Sequence, residues 1–234
     1  MSQLRSSSPF FNPGPPAEVG QADVEIMAFL KERVEGEILD MGGGRGAYAH
    51  ALQECGYQIT LAEKNPTCLE EVQRLGIPVL DMNVKSWGDL KGMFDTVILI
   101  EVLEHVEDPL EFLGNILSCA RKKVLLTVPC NDDFEELFRL GLTYNHIAVS
   151  DHIQQFTSRD ITQLFEKLGC RYEIHKGGHL FPQSVFPILR KTMKKHPAAE
   201  LALLPIRLLN KLGVLEKQFP VRIFAEVYPS VKAH

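Results

Sequence analysis

The chain has 234 residues, of which 45% are hydrophobic and 24% are charged, and its formal net charge is -5. This length suits one domain with an appended segment, and the composition is that of a globular protein. The acidic balance disfavours nucleic-acid partners, so we expect no DNA partner and do not favour RNA. No apolar run approaches the ~20 residues that a membrane-spanning helix needs.

Five scattered cysteines indicate the redox environment, and none belongs to a C-x-x-C pair. An odd number of unpaired cysteines favours reduced thiols over a disulfide framework or a zinc site. The serine- and proline-rich N-terminus lacks the apolar core of a secretory signal peptide. We therefore expect a cytoplasmic protein.

The N-terminal region divides into an arm and a helix. Residues 1–16 are predicted to be flexible, and residues 17–234 to form a single domain. The arm is expected to be disordered, with a lid anchored by Phe10 and Phe11 as the alternative. Apolar residues recur at helical spacing over 17–33, which predicts the first helix.

The most informative stretch is a short apolar strand at Glu37–Met41, a glycine-rich loop, and a helix at Ala47–Glu54. Glycine permits the positive φ of a tight turn, and the helix directs free N–H groups at a ligand, so the unit predicts a nucleotide cradle. No lysine–serine/threonine pair follows the loop, which excludes a Walker-type phosphate loop. Gly42-x-Gly44-x-x-Ala47 fits a dinucleotide fingerprint, so an NAD-dependent oxidoreductase is one alternative.

Further strands alternate with helices along the chain. They are predicted at Gln58–Glu63, 77–80, Phe94–Ile100, 123–128, 170–176 and 221–227. This alternation predicts a Rossmann-like, doubly wound α/β fold with a mostly parallel seven-stranded sheet. A ligand then lies beyond the carboxyl ends of the strands, where four acids fall: Asp40, Glu63, Asp81 and Glu101. Glu63 stands roughly 20 residues past the loop, where an acid meets a ribose.

Two motifs carry a resemblance to a known family. Asp40-x-Gly42-x-Gly44-x-Gly46 resembles the first motif of class I S-adenosylmethionine-dependent methyltransferases. The segment FDTVILIEVLEHVEDP, residues 94–109, resembles the fourth strand and following loop of the ubiquinone-biosynthesis-type small-molecule methyltransferases. The resemblance covers roughly residues 37–175.

The resemblance implies a cofactor, S-adenosylmethionine, and a set of contacts. Asp81 would meet the adenine amino group, and the Met82 backbone would help to read the ring. The implied cofactor-binding set is Asp40, Gly42, Gly44, Gly46, Glu63, Asp81, Met82 and Glu101. The resemblance also implies that the last strand is antiparallel, and that the region before it shapes the acceptor pocket.

The predicted activity is methyl transfer to a small-molecule acceptor at oxygen. A hydroxyl acceptor loses a proton, which a histidine with a near-neutral pKa can accept. A polar segment at 141–156 carries the catalytic candidates His146 and His152, and His105 is a third. A module that binds the cofactor without turnover is the non-enzyme alternative.

A metal-dependent alternative uses Glu101, Glu104 and His105, which form E-x-x-E-H, together with His152. Small-RNA 3′-terminal 2′-O-methyltransferases have a similar set that binds a divalent ion. Carboxylates and imidazoles are suitable ligands. Metal-free relatives also carry EVLEH, so the primary expectation includes no metal.

The C-terminal third departs from simple alternation. A short helix is predicted at 129–140, and Thr157 and Asp160 predict a capping box that opens the next helix. Residues 177–218 are predicted to be a helical insertion with flanking basic residues. We expect a cap packed on the sheet, with a lid over a hydrophobic substrate or a membrane-surface contact as the alternatives.

Overall fold

A seven-stranded mixed sheet forms the centre of the computed structural model, which describes residues 21–133, 135, 152–178, 204, 205, 208, 212 and 220–230. The strands are β1 Glu37–Met41, β2 Gln58–Glu63, β3 Val79–Asp81, β4 Phe94–Ile100, β5 Ala120–Pro129, β6 Arg171–Gly177 and β7 Arg222–Tyr228. Their order in the sheet is β3-β2-β1-β4-β5-β7-β6. Strand β7 is antiparallel to both β5 and β6, whereas β1 to β5 pair in parallel. The predicted fold class, including the antiparallel last strand, is confirmed.

Helices cover both faces of this sheet. They are α1 Val24–Arg33, α2 Ala47–Glu54, α3 Pro66–Arg74, α4 Trp87–Leu90, α5 Pro109–Cys119 and α6 Ser158–Lys167, with a 3₁₀ turn at Leu103–His105. The predicted capping box at Thr157 and Asp160 is present at the start of α6. Neither α4 nor the 3₁₀ turn was predicted, because three or four residues are too few to show a helical period.

The first helix is shorter than predicted. It begins at Val24, because the Asp23 side chain accepts hydrogen bonds from the N–H groups of Glu25 and Ile26. Residues 21–23 are therefore not helical, although the prediction began the helix at residue 17. An aspartate in this role satisfies donors that have no partner inside the helix.

Side-chain alternation along the strands builds two apolar layers. In β4, Val97 and Leu99 pack with α5 and α6, whereas Ile98 and Ile100 face the opposite layer with α1 and α2. Both layers are buried, which explains the nearly continuous apolar run of this strand. The sheet thus lies between two apolar layers, and polar side chains collect at its carboxyl edge.

Several predicted boundaries were wrong. Strand β3 begins at Val79 and not at residue 77, and β5 begins at Ala120 and not at residue 123. Pro129 closes β5 and does not begin a helix, and Gly177 belongs to β6 and not to the insertion. Residues 1–16, His146 and most of the segments predicted at 129–140 and 177–218 lie outside the described residues. Within the insertion, the side chains of Leu204, Leu208 and Leu212 are described, and each residue is more than half exposed. None of the described helices is both long and apolar enough to cross a lipid bilayer.

Candidate functional site

Two cavities open at the carboxyl edge of the sheet, and the glycine loop lies between them. The larger has a volume of about 680 Å³ and the smaller about 370 Å³. Gly42 and Gly44 line both cavities. The larger is lined by Met41, Ala62, Glu63, Lys64, Met82, Trp87, Glu101, Val102, His105, Val106 and Phe112, and the smaller by Asp40, Gly43, Arg45, Ala47, Tyr48 and Ile100.

Three glycines of the loop adopt left-handed backbone conformations. Their φ angles are 71° at Gly42, 53° at Gly44 and 80° at Gly46. At Gly44 a Cβ atom would meet no heavy atom within 4 Å, because this glycine faces open space. The loop therefore brings bare backbone to a cavity, as a cradle for a bound nucleotide requires.

Asp40 supports the loop from below. It is 1% exposed, and its Oδ2 atom receives no hydrogen bond from the described residues. A Cβ at Gly43 would collide with that carboxyl, so glycine is required there. Burial, reinforced by the negative charge of Glu63, raises the pKa of Asp40 to about 7.

Glu63 joins the loop to the next turn of the sheet edge. Its Oε2 accepts a hydrogen bond from the Gly44 N–H at 3.1 Å, and its Oε1 accepts from Lys64 N–H and Asn65 N–H. These bonds fix the plane of the carboxylate at the rim of the larger cavity. A fixed carboxylate in this position can accept hydrogen bonds from vicinal ribose hydroxyls.

The far wall of the larger cavity is apolar and aromatic. Met82 follows β3, and its N–H donates to the Glu63 carbonyl at 2.9 Å. The rings of Trp87 and Phe112 make an edge-to-face contact with centroids 5.5 Å apart. Asp81 uses Oδ1 to accept from the backbone and side-chain amides of Asn83. The apolar and aromatic side chains of this wall suit the binding of a flat base. Trp87 and Phe112 had not been predicted to line the cavity.

Glu101 follows β4 with an unusual backbone. Its φ of 53° is the one positive φ among the described residues other than glycine. Its Oε1 accepts hydrogen bonds from Thr127 Oγ1 at 2.9 Å and from Arg222 Nε at 3.1 Å. A strained residue at a cavity wall is a frequent mark of function. Sequence reasoning missed Arg222, which lies 121 residues away in the chain.

The start of α1 and Tyr48 complete the wall beside Glu101. Arg222 Nη1 lies 3.7 Å from Asp23 Oδ2. Burial raises the pKa of Tyr48 to about 12, against smaller opposing effects of a hydrogen bond with the Asp23 backbone and of the positive charge of Arg222. The Tyr48 hydroxyl therefore remains a protonated donor at neutral pH.

A third polar group forms where residues 152–154 lie against the 3₁₀ turn that follows β4. Ile153 N–H and Gln154 N–H both donate to the Glu104 carbonyl at 3.0 Å. This contact brings the rings of His152 and His105 edge to face, with centroids 4.8 Å apart. One ligand atom from each of Glu104, His105 and His152 lies within 4.8 Å of the others. Glu101 is not part of this group.

The structure thus brings most of the predicted cofactor set to one edge. Six of the eight residues line the cavities: Asp40, Gly42, Gly44, Glu63, Met82 and Glu101. The catalytic candidate His105 also lines the larger cavity. Contact of these residues with a cofactor stays a prediction. Gly46 caps α2, and Asp81 holds a turn beside Met82. His146 lies outside the described residues, so its pairing with His152 stays a prediction.

A family comparison accounts for this geometry. The sequence profile of a family described as "Methyltransferase domain" matches residues 21–174, well over half of the chain. The chain belongs to this methyltransferase domain family. It is a class I S-adenosylmethionine-dependent methyltransferase, and its cofactor is S-adenosylmethionine. The match favours this assignment over the NAD-dependent alternative.

Individual relatives of the methyltransferase agree with the family. A ubiquinone biosynthesis O-methyltransferase of Xanthomonas euvesicatoria is 36% identical over 95 residues, which cover 37% of this chain and 39% of that protein. The match therefore spans well under half of that relative.

Two solved structures share the fold. One is a SAM-dependent methyltransferase from Archaeoglobus fulgidus, with a TM-score of 0.57, 16% identity and coverage of 88% and 93% of the two chains. The other is a magnesium protoporphyrin IX methyltransferase from Synechocystis PCC 6803 with bound SAH, with a TM-score of 0.54, 16% identity and coverage of 88% and 81%.

Proposed function

We propose that this methyltransferase transfers a methyl group from S-adenosylmethionine to an oxygen of a small-molecule acceptor. One observation carries the proposal: two carboxylates, those of Glu63 and Glu101, line one cavity together with the open face of Gly44. An adenosine with an amino-acid tail offers the hydroxyl and ammonium donors that two carboxylates recognise. The O-methyltransferase named above supports oxygen as the acceptor atom.

We infer that the adenine, the ribose and the amino-acid tail of the cofactor follow one another along the sheet edge. We infer that the adenine lies against Met82 and Trp87, and that the ribose hydroxyls bond to Glu63. The bare backbone at Gly44 allows the ligand to pass from this cavity toward Glu101. The buried carboxyl of Asp40, which lies beside Gly43, shapes the loop.

The bound cofactor supplies an electrophilic methyl group on a sulfonium centre. The residues of the chain hold the acceptor oxygen in line with that group and exclude water, which accounts for most of the rate increase in such a displacement. A ring nitrogen of His152 accepts the proton that a hydroxyl acceptor loses. His146 is the second candidate base.

A double variant tests the role of the two histidines as the base. Loss of turnover in H146A/H152A with retained cofactor binding supports this role. The same result contradicts the alternative of a module that binds the cofactor without turnover.

The deciding experiment is calorimetric titration of the purified chain with S-adenosylhomocysteine, with NAD(H) titrated in parallel. Micromolar binding of S-adenosylhomocysteine alone supports the proposal and opens a screen of hydroxylated acceptors. Binding of NAD(H) instead, or of neither ligand, contradicts it.

We also propose a cytoplasmic location. All five cysteines are free thiols. Free thiols are typical of reducing compartments. Detection of the tagged protein in a secreted or periplasmic fraction would contradict this location.

A second candidate function rests on Glu104, His105 and His152. One carboxylate and two imidazoles form a donor set that suits a divalent transition metal. A cation held there would bind an acceptor with adjacent hydroxyl groups, such as the terminal ribose of an RNA 3′ end. The candidate is therefore a divalent-metal-dependent 2′-O-methyltransferase of RNA 3′ ends.

Manganese binding, followed by electron paramagnetic resonance, separates the two candidates. Tight binding that is lost in H105A and H152A but kept in H50A favours the metal-dependent candidate. His50 is the matched control because it lies on α2, outside this cluster. Methyl transfer at full rate in the presence of EDTA contradicts the metal-dependent candidate.

A further inference from the structure

Arg222 connects two carboxylates that belong to distant parts of the chain. It is the first residue of β7, and its side chain is 12% exposed. Its Nε donates to Glu101 Oε1 at 3.1 Å, and its Nη1 lies 3.7 Å from Asp23 Oδ2. Asp23 meanwhile caps α1 through its other oxygen. The guanidinium therefore fixes the start of α1 against the residue that follows β4.

This bridge determines how the Glu101 carboxylate is presented. Thr127 Oγ1 donates to the same oxygen, Oε1, as Arg222 does. Among the described residues no donor is bonded to Oε2, so its lone pairs remain for a ligand. The planar guanidinium directs Nε at Glu101 and Nη1 toward Asp23 at the same time, which the single ammonium group of a lysine does less well.

Position along the sheet indicates which end of a ligand Glu101 meets. Strand β1 separates β2 from β4, so Glu101 lies across the glycine loop from Glu63. Met82, which follows β3, lies on the Glu63 side. A nucleoside bound on the Glu63 side therefore extends its tail toward Glu101 and Tyr48.

We propose that the Asp23–Arg222–Glu101 bridge recognises the amino-acid end of the cofactor. Arg222 is a positioning residue that holds Glu101, and Glu101 accepts hydrogen bonds from the α-ammonium group. The Tyr48 hydroxyl, a donor in the adjoining cavity, suits the α-carboxylate of the same end. This inference rests on the proposed function, because it requires S-adenosylmethionine in these cavities.

Two ligands test it: S-adenosylhomocysteine, which has the amino-acid tail, and 5′-methylthioadenosine, which lacks it. In R222Q, calorimetry is expected to show binding of S-adenosylhomocysteine weakened roughly 10- to 30-fold, the loss of a charge-assisted bond. Binding of 5′-methylthioadenosine changes less than about twofold, since its contacts lie on the Glu63 side. E63Q is the matched control and weakens both ligands.

Additional variants separate positioning from folding. R222K keeps the charge without the planar guanidinium, so it is expected to weaken S-adenosylhomocysteine less than R222Q does. In an E101Q background, R222Q is expected to have little further effect, because Arg222 acts through Glu101. If R222Q does not fold, R222K and E101Q are compared on the two ligands in its place.

Equal weakening of both ligands in R222Q, or the same R222Q effect with and without Glu101, overturns the inference. Wild-type affinity of R222Q for S-adenosylhomocysteine also overturns the inference. If the wild-type chain binds neither ligand, the proposed function fails first, and the inference fails with it.

Discussion

The Glu63 carboxylate accepts a hydrogen bond from the Gly44 N–H at 3.1 Å, which ties the end of β2 to the tip of the glycine loop. The same carboxylate also holds the turn after β2. One side chain therefore shapes the loop and presents oxygens to the larger cavity. This double role makes Glu63 the most direct target for mutation.

Substitution of Glu63 is expected to weaken cofactor binding more than folding. E63Q removes the charge and part of the proposed ribose contact, so the affinity for S-adenosylhomocysteine should fall roughly 10- to 100-fold, as for the loss of about 1.5–3 kcal/mol. Calorimetry measures the affinity, and thermal unfolding checks the fold. Glu70 has an exposed side chain on α3, so E70Q is the control and is expected to keep wild-type affinity. Equal affinity in E63Q and E70Q contradicts the role of Glu63.

Gly44 and Gly76 form a matched pair for testing the cradle. Both have positive φ, 53° and 74°, and a Cβ at either one would face open space. Valine in a left-handed conformation costs about 1–3 kcal/mol of stability at either site. Only G44V places its side chain in the cavities, so it should abolish S-adenosylhomocysteine binding while G76V retains it. Urea unfolding and calorimetry on both variants measure the two effects, and loss of binding in both would refute the cradle.

Asp40 is expected to make stability depend on pH. Its pKa is about 7 in the folded chain and 3.8 ordinarily, so between these values the folded state binds more protons than the unfolded state. Stability therefore falls as pH rises through this window, with a slope of up to about 1.4 kcal/mol per pH unit from this group. D40N cannot ionise and should flatten the profile. Urea unfolding across the window, on wild type and D40N, measures the difference, and parallel profiles contradict the prediction.

Trp87 provides an optical signal for binding. It is the single tryptophan of the chain and lines the larger cavity against Phe112. S-adenosylhomocysteine should change its fluorescence saturably, with the same dissociation constant that calorimetry gives, because we propose that the adenine lies against the indole. W87F keeps an aromatic face, so its calorimetric affinity should stay within roughly threefold while the fluorescence signal disappears. An unchanged emission from saturated wild-type protein contradicts this placement of the adenine.

Much of the sheet could be predicted from local sequence. The bounds of β1, β2, β4 and α2 match the prediction, because apolar runs punctuated by glycine mark the ends of buried strands. The carboxyl ends of parallel strands share one edge, so Glu63 and Glu101 could be assigned to a common site before their positions were known. The short α4 was missed because its 4 residues show no helical period, and the start of α1 was misplaced because the Asp23 cap outweighed the apolar pattern before it.

The sequence by itself determined the glycine loop, the acids at the strand ends and the family, because these signals lie within a few residues of one another. Only the tertiary structure decided that Arg222 holds Glu101 and that His152 meets His105. Strand β7 enters the sheet between β5 and β6, and this long-range pairing delivers Arg222 to the site. Contacts of this kind depend on how distant segments pack, and no local pattern of residue types encodes them.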